Sequence, residues 1–301
     1  MTYSEIWHRI ATSYDDGEAR AIARILIEEL FGLSYADIVC GATEQLSADD
    51  TLRLDTAVRR IEQGEPLQHV LGYADFCGNR FCVNGSVLIP RPETEWLVDE
   101  GTKLMDGCIA SDETQHKAPH SPKRILDIGT GSGCIAISLK LRLGDAYVEA
   151  WDISEEALRT AQDNADALKA EVMFCKRDAL RTENTAAPWD LIVSNPPYIC
   201  DSERSAMDDN VLLHEPHTAL FVPDDDPLRF YRAIARYALL TLNIGGSLLF
   251  ECNTRYAEAT GTMLRDMGFE EVTVSDDCFN LPRFVRGRKN SPSQPSPSGR
   301  A

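Results

Sequence analysis

The sequence predicts an α/β fold, a mainly parallel sheet covered by helices on both faces, with a small helical bundle in front of it. Three observations predict this. From Arg124 onward, short apolar strands alternate with helical stretches. A glycine-rich turn joins the first of those strands to the helix behind it. Residues 1–66, by contrast, carry helical periodicity and no strand pattern.

Taken in order, Ala19, Ile22, Ala23, Leu26 and Leu30 follow the i, i+3, i+4, i+7 spacing of one apolar helix face, and Gly32 stops it. A second helix starts near Ser47, where Ser47-Ala48-Asp49-Asp50 resembles a capping box, and its stripe is Leu54, Ala57, Val58 and Ile61, with Gly64 beyond. Such short stripes need one another, so residues 1–66 read as one bundle. From His69 to Val87, aromatic and β-branched residues mix with glycines; Asn79 lies next to Gly78, and Asn84-Gly85 is a strong turn dipeptide. This reads as a β-hairpin or two short strands, a linker over residues 67–90. Two prolines in Ile89-Pro90-Arg91-Pro92 give an extended entry to a helix over Glu93–Leu104, and residues 106–122 read as a polar surface loop.

The larger unit brings strands at Ile125–Ile128, Tyr147–Asp152, Val172–Cys175, Leu191–Ser194 and Ser247–Glu251. Helices are expected at Cys134–Leu141, Ser154–Ala170 and Leu228–Leu242. Residues 290–301 are rich in Pro and Ser and read as a disordered tail.

Composition excludes several classes. With 30 Lys and Arg against 48 Asp and Glu, the net charge is −18. Such a chain gains little from a phosphate backbone, so direct nucleic-acid binding is not expected. The nine cysteines include no C-x-x-C pair, so neither a metal knuckle nor a redox pair is indicated; they read as buried small apolar residues. The N-terminal stretch MTYSEIWHRIATSYDD has no apolar h-region of a signal peptide, no apolar run approaches membrane-spanning length, and a cytoplasmic protein without a membrane role is expected.

The glycine-rich turn reads Asp127-Ile128-Gly129-Thr130-Gly131-Ser132-Gly133. Glycines let a backbone turn sharply and approach a ligand, and the helix behind it offers unpaired N–H groups. Asp152 ends the next strand, about twenty residues on, where an acid accepts hydrogen bonds from the ribose hydroxyls of an adenosine cofactor. The spacing G-x-G-x-G differs from the G-x-G-x-x-G of dinucleotide sites, and no Gly-Lys-Ser/Thr follows. A nucleoside cofactor without a pyrophosphate fits better. Asp178, after the third strand, could accept from an adenine amino group.

The most informative stretch is Asn195-Pro196-Pro197-Tyr198, at the end of the fourth strand. Proline has no N–H, so the backbone offers carbonyl acceptors without a competing donor, and the Asn195 side chain adds another acceptor. Two neighbouring acceptors suit a planar –NH2 group, whose face Tyr198 can cover.

Together, GTGSG, Asp152 and NPPY resemble a class I, amino-type, S-adenosylmethionine-dependent methyltransferase. Further stretches are similar to the release factor glutamine N5-methyltransferase family: Gly72-Tyr73 to Phe76, Leu88-Ile89-Pro90-Arg91-Pro92-Glu93-Thr94-Glu95, His214-Glu215-Pro216 with Ala219-Leu220, and Arg283-Phe284-Val285-x-Gly287-Arg288. The resemblance covers about residues 5–289. It implies a Rossmann-like, seven-stranded sheet whose last strand is antiparallel, with a catalytic domain over residues 91–289 and a substrate-recognition role for the bundle. It implies S-adenosylmethionine as methyl donor, S-adenosylhomocysteine as product and no metal. The implied substrate is the glutamine of the Gly-Gly-Gln motif in class I translation release factors. By the same resemblance Gly129, Thr130, Gly131, Ser132, Gly133, Asp152 and Asn195 contact the cofactor, and Asn195 to Tyr198 form the glutamine pocket, with Asn195, Pro196 and Tyr198 in the chemistry.

There are departures. Ala179 follows Asp178 where some members carry an aromatic residue, and Glu251-Cys252-Asn253 stands where some read E-x-G. Arg91 and Glu93 match the family's motif and read as inter-domain ion-pair residues. Two other enzymatic readings share the tetrapeptide: methylation of a ribosomal-protein glutamine, and adenine-N6 methylation of DNA or RNA. The linker favours the release factor over the first, and the acidic charge opposes the second. A non-enzymatic binding module is disfavoured by the intact motifs.

Overall fold

The computed structural model describes residues 1–110, 122–181 and 188–290. The chain opens with α1 (Tyr3–Ile10), α2 (Asp16–Phe31), α3 (Tyr35–Val39), α4 (Ala48–Glu62) and α5 (Leu67–Leu71). Local chemistry sets their ends. Thr2 and Glu5 form a capping box on α1, Asp15 caps α2, and Ser47 caps α4 through its hydroxyl. Gly32 ends α2 at φ 66°, a left-handed turn that glycine takes without strain. Ile6, Ile10, Leu26, Ile27, Val58 and Ile61 meet in one apolar core. The Arg9 guanidinium adds a forked bond to Glu62 and a third to Asp55, tying α1 to α4.

The hairpin β1 (Tyr73–Phe76) and β2 (Asn79–Cys82) comes next. It is shorter than the His69–Val87 stretch expected to hold it. His69 belongs to α5, and the turn is Cys77-Gly78 rather than Asn84-Gly85. Both turn residues have positive φ, 48° and 75°, which matches the twist of a two-residue hairpin. Asn84 instead turns back on itself, its Oδ1 accepting from the Ser86 N–H.

The main sheet is built by β3 (Arg124–Ile128), β4 (Tyr147–Asp152), β5 (Val172–Lys176), β6 (Trp189–Ser194), β9 (Leu242–Glu251), β10 (Glu270–Asp276) and β11 (Pro282–Arg288). Between them run α6 (Glu95–Ala110), α7 (Cys134–Leu143), α8 (Glu155–Leu168), α11 (Arg229–Thr241) and α12 (Ala257–Asp266). After β6 come β7 (Ile199–Cys200), α9 (Asp209–His214), α10 (His217–Leu220) and β8 (Phe221–Val222). Among the described residues the sheet has seven strands in the order β10-β11-β9-β6-β3-β4-β5. All pairs are parallel except those of β11, which is antiparallel to β9 and β10. This is the methyltransferase fold that the sequence resemblance implied.

Period-two alternation sorts the strands' side chains into two cores. Ile125, Leu191, Val193 and Leu249 face α6, α7 and α8; Leu126, Ile192, Leu248 and Phe250 face α11 and α12. The chain goes outward from β3 to β4 and β5, then returns to β6 on the other side of β3. That reversal opens a crevice at the carboxyl ends of β3 and β6, where ligands of such sheets bind.

Some expected bounds shift. A single turn over Pro92–Thr94 precedes α6, which begins at Glu95 and runs to Ala110, through the first part of the expected 106–122 loop. The rest of that loop, residues 111–121, and the expected tail beyond residue 290 lie outside the described residues. The cysteines divide: Cys134, Cys200 and Cys252 are buried, but Cys40, Cys82 and Cys278 are exposed, because they fall on a helix end, an outward hairpin position and a loop. Among the described residues no helix is long and apolar enough to cross a membrane.

Candidate active site

β3 ends in the glycine-rich loop, and three hydrogen bonds strap that loop to the end of β4. The Gly129 and Thr130 N–H groups donate to the Trp151 carbonyl at 2.8 and 2.9 Å, and the Gly131 N–H donates to Asp152 Oδ2 at 2.9 Å. Gly129 and Gly131 hold φ of 80° and 56°, and a Cβ on Gly131 would meet nothing within 4 Å. Asp152 Oδ1 accepts the Ser154 N–H at 2.9 Å. Burial pushes the Asp152 carboxyl above its ordinary range, and backbone hydrogen bonds from Ser154, Gly131 and Ile153 pull it back.

Beneath the loop, Asp127 is fully buried and accepts the Thr130 hydroxyl at 2.6 Å. Desolvation lifts its carboxyl to about 7. Between the unfolded value of about 4 and that figure, the folded state keeps a proton the unfolded chain has lost. Stability is therefore expected to fall as pH rises through this window. Asp127→Asn removes the titration. Its melting temperature relative to the parent should climb from pH 5 to about 7.5 and then level off, an advantage of about 2–4 kcal/mol at most. Parallel melting curves at all pH values would refute it.

A cavity of about 350 Å³ lies over the carboxyl ends of β3, β4 and β6. Gly129, Gly131, Asp152 and Asp178 line one side, and Asn195, Pro196 and Pro197 line another. Ile153, Ala179 and Leu180 make an apolar wall next to Asp178, with Ile153 55% exposed. Asp178 Oδ1 accepts the Leu180 N–H at 2.8 Å.

Thr130, Ser132 and Gly133 face elsewhere. Thr130 turns down onto Asp127, and the Ser132 carbonyl accepts from the Asn164 side chain. A Cβ on Gly133 would come within 2.9 Å of Ile137 and 3.1 Å of Ala161, so this glycine lets α7 pack against α8. Asn164 also takes both the N–H and the carbonyl of Cys82, tying the hairpin to the loop.

On the β6 side, the Ser194 hydroxyl donates to the Ile128 carbonyl at 2.6 Å and fixes the two strand ends together. Asn195 Nδ2 points to the Thr94 hydroxyl oxygen at 3.4 Å. Tyr198 does not line the cavity. Its ring packs among the apolar residues under α11, its N–H donates to the Leu220 carbonyl, and its hydroxyl points at Glu251 Oε1, 3.4 Å away. The N–H bond to Leu220 and the hydroxyl contact with Glu251 hold the ring in this core instead of over the cavity. Burial, then the Glu251 charge, push the phenol's pKa up.

Two buried carboxylates complete the site, and neither was singled out from the sequence. Glu251, 1% exposed at the end of β9, accepts the Thr94 hydroxyl at 2.7 Å. Glu215 accepts from Arg91 at 2.5 Å and from the Ile89 N–H at 3.3 Å. The Arg91 pair thus joins the proline-rich linker to the segment after the tetrapeptide. Asn253 Nδ2 holds the Tyr198 carbonyl at 3.3 Å, so both ends of the Glu251-Cys252-Asn253 stretch support Tyr198. These partners are far apart in sequence, and only the resemblance of their segments to the family marked them.

Comparison with known proteins adds to this geometry. The chain matches the methyltransferase small domain family over residues 95–220 and the PrmC N-terminal domain family over residues 8–72. It is similar to the release factor glutamine methyltransferase of Bacteroides thetaiotaomicron, 42% identical over 92% of this chain and 95% of that one. The protein of the same name from Flavobacterium psychrophilum is 36% identical over 92% and 94%. Among solved structures, the hMettl16 catalytic domain in complex with the MAT2A 3'UTR hairpin 6 superposes with a TM-score of 0.52, at 17% identity over 83% of this chain and 85% of that one; this likeness is one of fold. At these identities and over this share of its length, the chain belongs to the release factor glutamine methyltransferase family.

Proposed function

We propose that the protein transfers the methyl group of S-adenosylmethionine to the side-chain amide N5 of the glutamine in the Gly-Gly-Gln motif of class I release factors. One observation carries the reading: Asn195 and Pro196 open onto the same cavity as Gly131 and Asp152. Each Asp152 oxygen accepts one backbone N–H and keeps a lone pair, so the pair can take the ribose hydroxyls. Gly129 and Gly131 let the donor's amino-acid part lie close to the loop, and Ile153, Ala179 and Leu180 offer the adenine an apolar wall with Asp178 at its edge. Thr130, Ser132 and Gly133 would then act by shaping the loop from behind.

Bound S-adenosylmethionine supplies an electrophilic methyl on a sulfonium. The acceptor is a poor nucleophile, because its lone pair is delocalised into the amide. Asn195 Oδ1 and the Pro196 carbonyl take the two in-plane hydrogens of the –NH2 group. As the nitrogen turns tetrahedral and gains positive charge, both acceptors strengthen their hold, which stabilises that charge selectively. Holding nitrogen, methyl and sulfur in line supplies much of the remaining rate. The N–C bond would form as the C–S bond breaks, its electron pair staying on sulfur so that S-adenosylhomocysteine leaves, and the methylated nitrogen would then release one proton to water. Tyr198 serves this pocket from behind, through the backbone it anchors.

The helical bundle over residues 1–66 would grip the release factor, with residues 67–90 as connector and 91–289 as catalytic domain. A net charge of −18 suits a protein partner with basic patches, and a translation factor as substrate places the work in the cytoplasm. The test is transfer of labelled methyl to a purified release factor, wild type or with the motif glutamine replaced. Label is expected on the wild-type factor alone. Label that persists without the glutamine, or that goes to nucleic acid, would overturn the reading.

A further inference from the structure

We infer that Glu251, acting through the Thr94 hydroxyl, sets which way round the Asn195 amide faces the acceptor pocket. The inference rests on the methyl-transfer reading above, and both groups are positioning residues.

Glu251 Oε2 lies 2.7 Å from Thr94 Oγ1. An ionised carboxylate only accepts hydrogen bonds, so the Thr94 hydroxyl must donate to it. A hydroxyl has one proton. Once it is committed, Thr94 can offer Asn195 only lone pairs, and the group 3.4 Å away must be the N–H2 end of the amide. Asn195 Oδ1 is thereby left for the pocket. In the opposite orientation Asn195 would present its own N–H2 to the acceptor's N–H2, donor against donor. The two ends of the amide have nearly the same shape, so hydrogen bonding, not packing, decides between them.

The geometry around the pair supports this role. Thr94 is 3% exposed, in the single turn after Arg91 and Pro92, and its N–H donates to the Arg91 carbonyl. Arg91 is in turn fixed to buried Glu215. The other Glu251 oxygen faces the Tyr198 hydroxyl. One buried carboxylate therefore governs both ends of the tetrapeptide, Tyr198 directly and Asn195 through one hydroxyl.

The arrangement depends on the charge of Glu251. Burial raises its pKa; the Thr94 and Tyr198 hydroxyls and the Arg283 guanidinium act against that, and Glu93 reinforces it. Arg283 is itself bound to Asp277 at 2.7 Å, which dilutes its help. When Glu251 takes a proton it can donate to Thr94. The Thr94 proton is then free to turn toward Asn195, and the amide can flip. Activity should fall on the acid side at a pH above the ordinary carboxylate range.

The experiment measures methyl transfer to release-factor glutamine in four proteins: the parent, Thr94→Val, Thr94→Ser and Glu251→Gln. Thr94→Val keeps the shape and loses the hydroxyl; kcat should drop by about 10–100-fold, with the KM for S-adenosylmethionine within about threefold. Thr94→Ser keeps the hydroxyl and should stay within about threefold of the parent. Glu251→Gln does not titrate, so the acid limb of the kcat profile should vanish whichever end of the new amide faces Thr94. Thr94→Val within twofold of the parent, Thr94→Ser as slow as Thr94→Val, or an unchanged acid limb in Glu251→Gln would each overturn the relay. The Glu251→Gln profile decides even if Thr94→Val folds poorly. A parent protein that puts no methyl on glutamine would instead sink the reading on which the relay rests.

Discussion

Asn195→Ala is expected to lower kcat by about 10²–10³-fold, the loss typical of removing one preorganised partner from a developing charge. The affinity for S-adenosylmethionine should move far less, within about fivefold, because Asp152 and the glycine loop remain. Alanine suits the extended backbone at the end of β6, and the strand ends stay joined through Ser194. What disappears is the side-chain acceptor on the cavity wall. The Pro196 carbonyl would then hold one hydrogen of the amide, and the nitrogen could rotate out of line with the methyl. Because this interaction tightens in the transition state, the loss should appear in kcat rather than KM. Single-turnover transfer beside equilibrium titration of S-adenosylhomocysteine separates the two. Undiminished turnover would mean the amide hydrogens are held elsewhere.

How much of this was legible beforehand depended on whether the physics was local. β3, β4 and β6 are short apolar runs, and Tyr147–Asp152 was read to the residue. The glycine loop, Asp152 and Asn195-Pro196-Pro197-Tyr198 sit at the ends of successive strands, so their convergence on one crevice follows from the strand order. Within the loop, sequence could not tell a glycine that faces a ligand from one that relieves packing. Gly131 and Gly133 read alike, yet the second is required by Ala161 on another helix. Gly78 beside Asn79 and the pair Asn84-Gly85 both signal a turn in this stretch; the hairpin turns at Cys77-Gly78, where Cys77 adopts a positive φ that its residue type does not advertise. The Thr2-x-x-Glu5 cap on α1 is equally local, a capping box written in four consecutive residues. Least legible was the support of the tetrapeptide. Thr94 and Glu251 are 157 residues apart and Tyr198 and Glu251 are 53 apart, so no periodicity or spacing could join them.

Asp152→Ala is expected to weaken S-adenosylmethionine and S-adenosylhomocysteine alike. Each hydrogen bond from a ribose hydroxyl to a charged acceptor is worth about 1.5–3 kcal/mol. Losing both predicts a rise in Kd of about 10²–10⁴-fold. A second effect adds to the first. Asp152 also holds the Gly131 and Ser154 N–H groups, so its removal frees the loop that must lie against the donor. Asp152→Asn separates the contributions only in part, because its Nδ2 would set a donor against one of those two N–H groups. It should bind little better than the alanine variant. Neither variant should unfold the protein at neutral pH. Burial already disfavours the charged form of Asp152, so removing the charge offsets part of the cost of the lost N–H acceptors. The melting temperature should then stay near that of the parent without ligand, while the rise that S-adenosylhomocysteine gives the parent disappears. An undiminished ligand-induced rise would place the ribose away from β4. Asp152 would then be a strut of the glycine loop and nothing more, and the donor's position over Asn195 would have to be redrawn.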